Sequence, residues 1–174
     1  LMARQLVIMR HAKSAWDTEA ATDFERPLAK RGKGDAPRVG QWIREQDLVP
    51  DYIVSSPAER ATQTTLRACK PMDIKKSTIN WDPRVYGAGT EDLLEVLAEI
   101  PSKKSRVLMV GHNPGLEFLF SFLTKRGGKI DPEVTPIKTA TVVVLDMPDN
   151  WKNIEPGCAT AIKIQYPRDL PPSK

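Results

Sequence analysis

"LVIMRHAKS", residues 6–14, sets four apolar residues directly against an arginine and a histidine. Leu6, Val7, Ile8 and Met9 show no polar alternation, which is the pattern of a strand buried on both faces. The strand expected here is Gln5–Met9. A buried strand must end somewhere, so Arg10 and His11 alone carry no chemistry. The chain holds only two histidines, however, and the second repeats the arrangement. In "VLMVGHNPG", residues 107–115, a strand expected at Arg106–Val110 runs into Gly111, His112 and Asn113.

The stretches between these two strands alternate in type. Residues 12–25 lack an apolar period and read as a loop. From Pro27 a helical pattern begins, with Leu28, Val39, Trp42 and Ile43 on one face, weakened at first by Gly32, Gly34 and Pro37. Tyr52–Val54 is a second strand, and "SSPAERATQTTLRAC" leads from it into a helix starting near Ser56 or Pro57. A short strand follows near Thr78–Asn80. Thr90, with Glu91 and Asp92 behind it, reads as the cap and acidic first turn of "EDLLEVLAEI". Pro114 opens the apolar helix "PGLEFLFSFLT", and "TATVVVLDM" and "CATAIKIQYP" are two further strands around a turn at Asp149-Asn150. Trp42, Phe118 and Phe120 are expected in the core. Strand and helix in alternation predict an α/β three-layer sandwich, with a mostly parallel central sheet and helices on both faces. We expect one domain over residues 2–168 and a loose, Pro-rich tail over 169–174. Ligands of such sheets bind outside the C-terminal strand ends. Arg10-His11, Ser55-Ser56 with Arg60, and Gly111-His112-Asn113 all fall at such ends, so one sheet edge can collect them.

Bulk properties exclude several classes. With 174 residues, 40% of them hydrophobic, the chain can bury a full core. No apolar run approaches the roughly 20 residues of a membrane span. No signal peptide is recognisable, which predicts a cytoplasmic protein without membrane attachment. The net charge of +4 is scattered over short pairs such as Lys75-Lys76, Lys103-Lys104 and Lys125-Arg126. Without a long basic run, nucleic acid is not an expected partner. Cys69 and Cys158 are far apart and are expected to be free thiols. The scattered histidines and cysteines give no zinc spacing, so no metal and no cofactor are expected.

Four stretches, "RHAKS", "ERPLAKRG", "SSPAERATQT" and "VGHNPG", occurring in this order, resemble the histidine phosphatase superfamily. Within it they look most like the small SixA branch of phosphohistidine phosphatases. The resemblance runs from about Gln5 to about Thr124 and implies a phosphoglycerate-mutase-like fold. It implies His11 as nucleophile and carrier of a phosphohistidine intermediate. Arg10, Arg26 and Arg60 would grip phosphate, and His112 would be a further donor to the transferring group. The chemistry agrees with these residue types. Phosphoryl transfer spreads charge over equatorial oxygens. Guanidinium forks match those oxygens and never lose their proton near neutral pH. A neutral imidazole is a competent nucleophile there. Arg31 lies close to Arg26 and is the other candidate for that place. Ser56 and Asn113 suit loop fixing as well as phosphate contact.

Many relatives place a carboxylic acid after the third strand, to protonate an alkoxide leaving group. In "NWDPRVYGAGTED", residues 80–92, no acid matches that motif, and Asp82, Glu91 and Asp92 are only candidates. Phosphohistidine has a weak P–N bond and needs little such help. The expectation is therefore a metal-independent phosphatase that removes phosphate from phosphohistidine in a protein. The alternatives are a phosphatase for small phosphoesters using Asp82 or Glu91 as acid, and a phosphate-binding module without turnover.

Overall fold

The computed structural model describes residues 3–124 and 128–172. Lys125-Arg126 lies outside the described residues. The elements, in order, are β1 (Arg4–Arg10), α1 (Lys30–Glu45), β2 (Tyr52–Ser55), α2 (Glu59–Cys69), β3 (Ile79–Trp81), α3 (Thr90–Ala98), β4 (Arg106–Gly111), α4 (Gly115–Leu123), β5 (Val142–Met147) and β6 (Thr160–Gln165). They form a six-stranded sheet in the order β3-β2-β4-β1-β5-β6. The first four strands of that order are parallel, while β5 and β6 join antiparallel. This is the expected α/β sandwich.

Alternation along the strands divides the core in two. Leu6 and Ile8 point to one face with Val107 and Met109, and pack against Leu93 and Leu97 of α3 and Leu116, Leu119 and Phe120 of α4. Val7 and Met9 point to the other face with Leu108 and Val110, and pack against Val39 and Ile43 of α1 and Ala61 and Ala68 of α2. Both faces of the central strands are thus removed from water. This explains why their sequences are continuously apolar.

Strands β1 to β4 end within a residue of the sequence reading, while three helix starts and one core assignment differ from it. Helix α1 begins at Lys30, not Pro27, because Leu28 pairs with Ser14 in an antiparallel bridge and Ala29 donates its N–H to the Lys13 carbonyl at 2.9 Å. That pairing ties the loop after β1 to the helix entry. Helix α2 begins at Glu59 rather than at Ser56 or Pro57. The cap of α3 is Gly89 rather than Thr90, and the Asp92 carboxylate accepts the Gly89 N–H at 2.9 Å. Phe118 is 57% exposed, whereas Phe120 is fully buried and Trp42 half-buried. Helix α4 turns Leu116, Leu119, Phe120 and Leu123 to the sheet, and the 100° step per residue leaves Phe118 outside.

The chain after β6 stays on the body as far as Pro171. The Arg38 guanidinium donates to the carbonyls of Pro167, Leu170 and Pro171 at 2.7–3.2 Å.

Two glycines in α1 explain why that helix tolerates them. A Cβ at Gly32 would sit 2.2 Å from the Lys13 carbonyl oxygen, and one at Gly40 would sit 2.1 Å from that of Ala68. The helix lies directly on the loop after β1 and on α2 at these points. Gly40→Ala forces α1 and α2 apart and should cost on the order of 1–3 kcal/mol. Its thermal midpoint should fall by at least several degrees. A midpoint equal to that of the unaltered chain would show that the close approach is not required.

Candidate active site

Three adjacent parallel strands deliver the polar residues to one edge. In the ladder Arg10 lies opposite Gly111, and Ser55 opposite Val110. Backbone bonds continue past the strands, from His11 N–H to the Gly111 carbonyl and from Ser56 N–H to the Val110 carbonyl, each at 3.0 Å. The Ala140 N–H is shared by the carbonyls of Arg10 and His11, which fixes the exit of β1 from its other side. Ala12 N–H donates to the Thr64 hydroxyl of α2 at 2.9 Å.

His11 and His112 therefore meet, with ring centroids 5.1 Å apart. His11 Nδ1 lies 2.8 Å from the carbonyl oxygen of Ala12. That acceptor holds the proton on Nδ1 and leaves the lone pair on Nε2. Burial holds the His11 pKa down at about 4, and the guanidiniums of Arg60, Arg10 and Arg26 add to the effect against the pull of the Ala12 bond. His112 falls to about 3, first through burial and then through His11 and Arg60. Both rings are neutral at pH 7. His112 Nε2 is 2.7 Å from the Ser56 hydroxyl.

The arginines surround this pair. Arg10 donates to the Ile137 carbonyl at 3.1 Å. Arg60 is buried, and its two terminal nitrogens donate to the Asp23 carbonyl and carboxylate at 2.7 and 2.9 Å. Arg26 is buried as well. It donates to the Ser14 hydroxyl and, at 3.2 Å, to the Asp23 carboxylate, and its guanidinium lies 3.8 Å from the centre of the Trp16 ring. Arg31 is an exposed residue paired with Asp35, so Arg26 is the arginine of this segment that the fold brings to the site. Three nitrogens among these residues, Arg10 Nε, Arg60 Nε and His112 Nδ1, are buried without a hydrogen-bond partner. Buried polar groups are normally satisfied, so these three nitrogens are donors or acceptors open to a ligand. Guanidiniums and neutral imidazoles suit an anion rich in oxygen.

Other residues fall outside the cluster or support it. Asn113 donates to the Ile137 carbonyl at 2.7 Å and so fixes two loops. Asp82 is engaged by Arg84, whose backbone N–H, Nε and Nη2 all donate to its carboxylate at 2.7–3.1 Å. Glu91 is exposed on the first turn of α3.

The sequence reading missed Asp23, Tyr86 and Trp16. Asp23 receives Arg26, Arg60 and the Tyr86 hydroxyl, the last at 2.8 Å. These donors hold its carboxyl at about 2, with Tyr86 the largest cause. The Tyr86 ring stands edge-on to both His112 and Phe24, at 5.4 and 5.1 Å between centroids. One faint signal existed, because Tyr86 sits in the turn-rich stretch already searched for an acid. Nothing in spacing pointed to Asp23, which reaches the arginines only through the path of the loop.

Fold and site together define an α/β protein whose parallel strand ends present a pair of histidines, one buried and one half-buried, to three arginines. Comparison with known proteins agrees. Residues 6–84 match the family model of the histidine phosphatase superfamily, branch 1. An uncharacterised protein of Mycobacterium tuberculosis is 32% identical over 92% of this chain and the whole of that protein. The structure of the protein assigned as phosphohistidine phosphatase SixA in Nakamurella multipartitia superposes with a TM-score of 0.84 at 28% identity, over 96% of this chain and 98% of that one. The corresponding assigned SixA of Agrobacterium tumefaciens gives 0.77 at 25% identity, over 94% and 98%. The chain belongs to the histidine phosphatase superfamily and, within it, to the SixA-like branch.

The depressed histidines set a pH test. An imidazole buried neutral titrates near 6.5 when unfolded and at about 4 or 3 when folded. Its contribution to stability is complete above pH 6.5 and is lost as pH falls toward 4. NMR titration of the two imidazoles should show both still neutral at pH 5. A midpoint near 6.5 for either ring would contradict its burial.

Proposed function

We propose that this protein is a phosphatase that carries phosphate on His11 and removes it from phosphohistidine in a protein substrate. The observation that carries the reading is the pairing of His11 Nδ1 with Ala12, which leaves the Nε2 lone pair free beside His112, in a site where Arg10, Arg60 and His112 each keep a buried nitrogen unpartnered. Substrate phosphate binds there and the arginines neutralise its charge. Arg26 extends the grip from the side of Ser14. Nε2 attacks phosphorus, the phosphoryl group moves to His11, and water then cleaves the new P–N bond. His112 donates to an equatorial oxygen through a ring nitrogen, with the Ser56 hydroxyl setting its tautomer. The reaction needs no metal in this reading, because three guanidiniums beside the imidazoles repel a cation.

The substrate class follows from the leaving group. Asp82 is bound by Arg84 and Glu91 faces solvent, which disfavours the phosphoester reading that uses either as acid. A phosphoramidate tolerates the lack of an acid, and an alkyl phosphate does not. The superposition with assigned phosphohistidine phosphatases over nearly the whole chain supports the same choice. The two free cysteines are compatible with a cytoplasmic protein.

Two outcomes test this reading. Quenching turnover in alkali should trap labelled phosphate on His11, since phosphoramidates survive base. His11→Ala should abolish both label and activity, and His112→Ala should slow turnover while His11 still takes label. Label on serine, or on His112 in the unaltered chain, would overturn the assignment. Rates should also fall steeply as the leaving group becomes more basic, so that phosphohistidine peptides and aryl phosphates outrun sugar phosphates. Equal rates for alkyl and aryl esters would require a proton donor, with Asp82 and Glu91 the first residues to replace.

A further inference from the structure

His11 is 6% exposed and lies at the floor of the site. In-line attack from the floor sends the leaving group outward, toward solvent. An anionic side chain that reaches solvent binds two of the site's arginines. The Asp23 side chain is 51% exposed, whereas those of the two arginines it binds are only 10% and 7% exposed. Arg26, Arg60 and Tyr86 hold it from three directions. Beside it opens a hollow of about 290 Å³, bordered by Trp16, Thr22, Asp23 and Arg26, and Trp16 is 75% exposed there. A carboxylate next to a phosphate site is at first sight wrong in sign, because it weakens the field that binds phosphate. It is right in sign for a cationic leaving group.

We propose that Asp23 is the counter-ion of the substrate's own imidazolium, and that the hollow beside Trp16 receives that ring. The inference rests on the phosphohistidine reading and deepens it. Phosphohistidine leaves readily when its second ring nitrogen is protonated, because neutral imidazole then departs in place of imidazolate. Asp23 accepts a hydrogen bond from that N–H and favours the protonated ring. The step balances without a proton in flight. The bond between phosphorus and the substrate nitrogen breaks as the bond to His11 Nε2 forms. The substrate keeps its proton on the remote nitrogen, as His11 keeps its own on Nδ1 against Ala12. Donor and acceptor are thus the same chemical group in the same protonation state. An alkoxide leaving group has no such proton and gains nothing from Asp23.

The test uses the full chain with two probes, N-phosphoimidazole and para-nitrophenyl phosphate. Asp23→Asn should lower the rate on phosphoimidazole more than the rate on the aryl ester, by a further factor on the order of 10–100, the worth of one hydrogen bond to a charged group. Asp23→Glu should keep part of the preference. Asp23→Ser serves as a second neutral variant, and thermal unfolding confirms that each is folded. Equal losses on both probes would make Asp23 only a holder of Arg26 and Arg60 and would overturn the inference. Gains on both would make it a mere competitor of phosphate and would also overturn it. An unaltered chain that hydrolyses the aryl ester but not phosphoimidazole would sink the phosphohistidine reading itself, whatever Asp23 does.

Discussion

The register of three parallel strands governs this molecule. β1 pairs with β4 so that Arg10 faces Gly111, and β2 pairs with β4 so that Ser55 faces Val110. The three chains therefore leave the sheet at one level, and the loops that follow start side by side. Side chains alternate along a strand, so a slip of one residue would exchange the two faces of a strand. Leu6 and Ile8 would then meet α1 and α2, Val7 and Met9 would meet α3 and α4, and the residues beyond the strand would point away from the site. The two cores hold the register because each is matched to a different pair of helices.

Electrostatics at the strand ends follow from that placement. Three guanidiniums crowd two imidazoles, and water has little access to them. Protonating either ring would add a buried charge of the same sign, so both rings stay neutral. Asp23 is the anion within hydrogen-bonding reach of Arg26 and Arg60. Its loop is held in turn, through the Ser14–Leu28 bridge and the bond from Ala29 to Lys13, against the entry of α1. The glycine at position 32 lets that helix come so close.

Much of this was legible in the chain alone. Strong apolar runs marked β1, β4 and β5, because strands buried on both faces leave no polar alternation. The two histidines were found because each follows such a run directly. Helix entries were read less well. Pro27 suggested a start three residues early, because a bridge between Ser14 and Leu28 depends on where a distant loop folds back. Phe118 was misplaced because α4 is apolar nearly all round, and its sequence does not say which face meets the sheet. Asp23 escaped notice for a related reason. Its partners are contributed by a turn, a helix and the segment after β3, and no spacing in the sequence encodes that meeting.

The sheet order also bears on how the chain is made. β1 is synthesised first, yet its two neighbours are β4, which ends at Gly111, and β5, which begins at Val142. For most of translation its four core residues have no strand beside them. β2 and β3 can meet early, but they form an edge of the sheet and give β1 nothing to pair with until β4 arrives between them. Contacts so distant in sequence form slowly, and an apolar strand left open in the meantime is prone to stick to other chains. A nascent chain of this protein thus emerges from the ribosome with four consecutive apolar residues of its first strand unshielded, as a natural client for chaperones that cover such segments.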